Sequence, residues 1–115
     1  MEEKTLLIEI NTQNNVKIVA LTGQIDASTA PSITDTILPL IGSNSKILLD
    51  MTQVPYMSSA GLRTLLSLYR QITPTAGDLV LVGLSEEIQD TMTVTGFLKF
   101  FKTSQSVAEG LAILT

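Results

Sequence analysis

The residues of this 115-residue chain that could do chemistry are carboxylates and hydroxyls, because the sequence contains no His and no Cys. Imidazole general bases, thiolate nucleophiles, Ser-His-Asp and Cys-His pairs, and zinc sites built from nitrogen and sulfur ligands are therefore excluded. Serine and threonine together number 25, so one hydroxyl means little and position has to decide. In Asp50-Met51-Thr52-Gln53-Val54-Pro55-Tyr56-Met57-Ser58-Ser59-Ala60-Gly61-Leu62-Arg63 a buried-strand pattern passes into a helical one. Ser58 and Ser59 then stand at a helix N-terminus on the carboxyl side of a sheet, where open α/β sheets meet ligands and partners. Two uses fit these hydroxyls. A capping serine contributes ~1 kcal/mol. A phosphoryl group there would meet free backbone N–H groups and the positive end of the helix dipole. Its charge of about −1.5 to −2 would then alter the surface and leave the helix formed. Asp26 and Asp50 are the other candidates: Asp26 as a helix cap, Asp50 as an acceptor of backbone N–H groups that orients the loop. A magnesium-dependent enzyme using these two carboxylates finds no support in a phosphate loop of the G-x-x-x-x-G-K-S/T type, so no metal, cofactor or catalytic residue is expected.

The elements that must position the serines follow from periodicity. Leu6, Ile8 and Ile10, then the polar run Asn11–Asn15, then Val16–Thr22 predict a hairpin. After Gly23, Asp26, Ser28 or Thr29 can cap a helix that has Pro31 in its first turn and an apolar stripe of Ile33, Ile37, Leu38 and Ile41, with Pro39 kinking or ending it. Lys46–Met51 and Leu79–Leu84 read as buried strands. Between them a helix from Ala60 carries the stripe Leu62, Leu65, Leu66, Tyr69 and Ile72 and stops before Pro74 and Gly77. Ser85-Glu86-Glu87 opens a helix through Ile88 and Met92 to Gly96. Phe97–Phe101 is expected to be an edge strand or a packed connector, and Ser106-Val107-Ala108-Glu109 has capping-box spacing for a last helix through Leu111 and Leu114. The order ββαβαβα(β)α predicts one α/β domain over residues 1–115, a mixed sheet of four to five strands with helices packed on it.

Composition narrows the partners. A net charge of −4 lacks the basic face that nucleic acid or an anionic membrane demands, and 4% aromatic residues are too few for base stacking. No stretch reaches the ~18 apolar residues of a membrane span. Met1-Glu2-Glu3-Lys4 lacks the features of a signal peptide, and the absence of Cys suits a reducing compartment, so a cytoplasmic location is expected.

The run Asp50 to Leu66 closely resembles the signature of STAS domains of the bacterial anti-sigma factor antagonist family. Thr22-Gly23-Gln24-Ile25-Asp26 resembles the family's second-strand exit, and Gly83-Leu84-Ser85 and Gly96-Phe97-Leu98 resemble later elements. The resemblance implies partner switching. The unphosphorylated domain would bind a serine-protein kinase that doubles as an anti-sigma factor, phosphorylation of a motif serine would dissolve the complex, and a serine phosphatase would restore it. Aligned on Met-x-Ser-x-Gly, the acceptor is Ser59. Many members carry Asp before that serine where this chain has Ser58, which makes Ser58 the runner-up. The implied partner surface comprises Asp26, Met57, Ser58, Ser59, Ala60, Gly61 and Arg63, on a monomer or weak dimer. A STAS docking subunit of a transporter or signalling scaffold is the alternative.

Overall fold

Two asparagines reverse the chain at its first turn. Asn14 and Asn15 both have positive φ (52° and 67°), the combination a two-residue hairpin loop requires, and they join β1 (Leu7–Gln13) to β2 (Val16–Thr22) in antiparallel register from Gln13↔Val16 to Leu7↔Thr22. The connector is thus two residues long, not the five of the polar run Asn11–Asn15; an exposed edge strand accommodates Asn11, Thr12 and Gln13. The computed structural model describes residues 6–115, so the reading of Met1–Lys4 lies outside the described residues.

Three further strands, β3 (Lys46–Gln53), β4 (Asp78–Val82) and β5 (Lys102–Ser104), continue the sheet in parallel, in the order β1-β2-β3-β4-β5. The linking helices are α1 (Ala30–Ile37), α2 (Ser59–Ile72) and α3 (Glu86–Val94). Each crossover moves one strand further in the same direction, so right-handed connections bring all three helices to one face. There Ile33, Ile37, Leu65, Ile72, Ile88 and Met92 pack with Val19, Ile47, Leu49, Met51 and Leu81. The fourth helix, α4 (Val107–Leu114), covers the opposite face, where Leu114 closes over Ile18, Leu48, Val80 and Val82. Strand β3 is apolar in sequence on both faces because both faces are covered.

The expected helix stripes hold with local differences. Pro39 ends α1 at Ile37, and the 3₁₀ turn Leu38–Leu40 that follows leaves Leu38 exposed. Helix α2 buries Leu68 as well as Leu62, Leu65, Leu66 and Ile72. Phe97–Phe101 is a connector: Leu98–Phe100 form a 3₁₀ turn, and Phe100 and Phe101 stack on Tyr69 at 5.9 and 5.5 Å between ring centres. The edge strand starts one residue later, at Lys102.

Candidate functional site

The serine pair sits where two loops are laced together by their backbones. Leaving β2, Gly23 N–H donates to Gln53 O (3.1 Å), Ile25 N–H to Tyr56 O (3.0 Å), and Ile25 O accepts from Ser58 N–H (2.8 Å). Ile25 and Met57 thereby form a parallel bridge beyond the ends of β2 and β3. Both side chains are buried, and Gly61 lies directly against them: a Cβ at Gly61 would stand 2.6 Å from Met57 Cγ and 2.7 Å from Ile25 Cγ2. Met57 and Gly61, expected on the partner surface, are turned inward instead, and their contacts lock the two loops to the first turn of α2.

The two serines have different surroundings. Ser58 is the N-cap of α2, with extended backbone (φ −81°, ψ 175°), and its Oγ accepts from Gly61 N–H at 3.4 Å. Ser59 is the first helical residue and is exposed. Among the described residues, neither its hydroxyl nor the N–H groups of Ser59 and Ala60 reach a protein acceptor. Those N–H groups, at the positive end of a 14-residue helix, are open to an anion carried on the Ser59 oxygen.

Asp26 follows Ile25 directly and is held from within its own loop. Its Oδ1 accepts from Ser28 N–H (2.9 Å), Ser28 Oγ (2.6 Å) and Thr29 N–H (3.1 Å), so it organises the entrance to α1 while Thr29 stands at the N-cap position without a side-chain cap. The Thr29 hydroxyl, buried, accepts from Asp26 N–H and donates to Gln24 O, both at 2.9 Å. In the sequence Thr29 stands only among the candidate helix caps and Ile25 only within the Thr22-Gly23-Gln24-Ile25-Asp26 strand exit, and neither signal shows the loop contacts they make. Asp50 accepts from Thr52 N–H (3.1 Å) and Thr52 Oγ1 (2.8 Å), so it orders the end of β3 and does not reach the serine loop. Arg63, one turn past Ser59, is exposed and makes no ion pair among the described residues. Among the described residues no cluster of three or more His, Cys, Asp or Glu side chains could hold a metal, and no helix is long and apolar enough to cross a membrane.

Fold and site together define a small α/β module that presents a serine on its outer surface, at a helix N-terminus above the carboxyl end of its sheet. The family model of the STAS domain matches residues 8–110, and the chain belongs to that family. The anti-sigma-B factor antagonist of Listeria monocytogenes is 30% identical over 91 residues, covering 77% of this chain and 80% of that protein. Among solved structures, an anti-sigma factor antagonist from Mycobacterium paratuberculosis superposes with a TM-score of 0.84 at 21% identity, covering 95% of this chain and 93% of the other. The Bacillus cell fate determinant SpoIIAA in its phosphorylated form superposes with a TM-score of 0.72 at 15% identity, covering 95% of this chain and all of that one.

Proposed function

We propose that this protein is an anti-sigma factor antagonist that works by partner switching. Without phosphate it binds a serine-protein kinase that doubles as an anti-sigma factor; phosphorylation of Ser59 releases it, and a protein serine phosphatase returns it to the binding form. The observation that carries the choice of serine is the division of labour at the helix start. The Ser58 hydroxyl is engaged as the N-cap, whereas the Ser59 hydroxyl is exposed and makes no hydrogen bond among the described residues. The protein performs no chemistry in this scheme, since the transfer and removal of phosphate belong to the active sites of its partners. Asp26, Ser58, Ser59, Ala60 and Arg63 form the contact surface, and Ile25, Met57 and Gly61 hold it rigid from beneath.

Phosphate on Ser59 takes the formal charge from −4 to about −6. Concentrated at one helix end, that charge meets the docked partner directly. The STAS fold alone would serve a transporter's docking subunit equally well; it is the sequence-level likeness to an anti-sigma-B factor antagonist that favours the switch. Affinity capture with Ser59→Ala and Ser59→Asp baits, followed by mass spectrometry, tests it. The Ala bait is expected to retain the kinase and the Asp bait to lose most of it, with phosphate mapped to Ser59 in the unsubstituted protein. Equal recovery of the same partners by both baits would leave only the docking reading.

A further inference from the structure

The two edges of the sheet are guarded very differently. Strand β5 is three residues long and carries Lys102, which pairs with Asp78 at 2.7 Å. Short edge strands and edge lysines are the usual protections against strand addition. Strand β1 has neither. It is seven residues long (Leu7-Ile8-Glu9-Ile10-Asn11-Thr12-Gln13), contains no Pro and no Lys, pairs with β2 without a bulge, and is exposed from Glu9 to Gln13, with Ile10 48% and Leu7 60% accessible.

The hairpin fixes which backbone groups remain open. Across the two-residue Asn14-Asn15 turn, Gln13 and Val16 are a hydrogen-bonded pair, and alternation along the ladder then turns the N–H and C=O groups of Leu7, Glu9, Asn11 and Gln13 toward β2. Those of Ile8, Ile10 and Thr12 point away from the sheet. We infer that this edge is a self-association surface, on which β1 of a second copy pairs antiparallel about a two-fold axis at Ile10.

That register satisfies every outward group of the three residues: Ile10 pairs with Ile10 of the second copy, and Ile8 with Thr12 in both directions. It also separates the charges. Glu9 falls opposite Asn11, whereas a pairing centred one residue earlier would set Glu9 against Glu9, which is unfavourable in a directly opposed pair. The half-exposed Ile10 side chains meet at the axis on the face shared with α1–α3. The surface lies along β1 and includes none of Asp26, Ser58 and Ser59, so both copies keep their serine open. One strand per copy buries less than a standard interface, so the association is weak, appearing at roughly 0.1–1 mM protein.

Sedimentation equilibrium on the full chain tests this. Asn11→Glu, which opposes Glu9 twice per dimer, is expected to raise the dissociation constant about 3- to 30-fold, and Asn11→Lys to lower it by a similar factor. Ile10→Lys, which brings two cations together at the axis, should abolish association. A concentration series of amide hydrogen exchange gives a readout without substitution: the N–H groups of Ile8, Ile10 and Thr12 should slow as the dimer forms, while Glu9 and Asn11 stay unchanged. A single monomeric species throughout the range, which is also the result if the edge serves a strand of a different protein, overturns the inference. So does a shift of the same sign from Asn11→Glu and Asn11→Lys.

Discussion

The backbone N–H of Ser58 donates to the carbonyl oxygen of Ile25 at 2.8 Å, joining two loops that are more than 30 residues apart in the chain. Asp26 on one loop and Ser59 on the other are each one residue from that bond, so the surface around the serine is a single rigid piece. A partner docking there meets a preformed surface and orders little of it on binding, which lowers the entropic cost of association.

Gly61 is the glycine this arrangement depends on. In a solvent-exposed helix, Gly→Ala stabilises by about 1 kcal/mol. Here the new methyl would stand 2.6 Å from Met57 Cγ and 3.2 Å from Ile25 O, and the carbonyl is already held by Ser58. Gly61→Ala is therefore expected to destabilise, by about 1–3 kcal/mol, read as a lower urea midpoint. Adding Met57→Ala should recover part of the loss, because it removes the nearest clashing atom; strictly additive effects would place the strain elsewhere.

Stability and phosphate acceptance should separate at adjacent positions. Ser58→Ala removes the N-cap and should cost about 1 kcal/mol while phosphate incorporation by the kinase continues. Ser59→Ala should change stability by less than about 0.5 kcal/mol and abolish incorporation. Denaturant titration and intact-mass measurement on the same two variants check both halves, and the reverse pattern would make Ser58 the acceptor.

Much of this site was legible in the sequence because its signals are local. A strand running through Asp50-Met51, a serine pair and the stripe from Leu62 each depend on neighbours a few residues away, as do the caps at Ser58, Ser85 and Ser106, whose side chains accept from Gly61, Ile88 and Glu109 N–H. What pattern could not supply was contact across distance. Gly61 reads as an opening for a partner's backbone until the loop after β2 is seen to place Ile25 against it. Phe97–Phe101 has the apolar density of a strand, but its rings are drawn to Tyr69 on α2, and the backbone turns instead of extending.

Gly83 combines a backbone requirement with a packing one. Its φ is +69°, and a Cβ would run into Thr52 Cγ2 at the end of β3. A side chain in the left-handed region costs roughly 1–2 kcal/mol, and overpacking roughly 1–3 more. Gly83→Ala should thus cost about 3 kcal/mol in chemical denaturation. Pairing it with Thr52→Ser, which deletes the clashing methyl, should restore the packing share and leave the backbone share in place.

The hairpin offers a change of opposite sign. Asn14 and Asn15 both hold positive φ, which Asn tolerates better than most residues and Gly adopts without strain. Asn-Gly is the favoured pair for a two-residue loop of this type, so Asn15→Gly should stabilise the protein by about 0.5 kcal/mol, a rise of about 2–4 °C in Tm. Asn15→Ala keeps the unfolded chain less flexible than Gly would, yet must place a Cβ at φ 67°, and should lower Tm instead. A loss from Asn15→Gly together with a gain from Asn15→Ala would mean that the unfolded chain, not the turn, sets the effect.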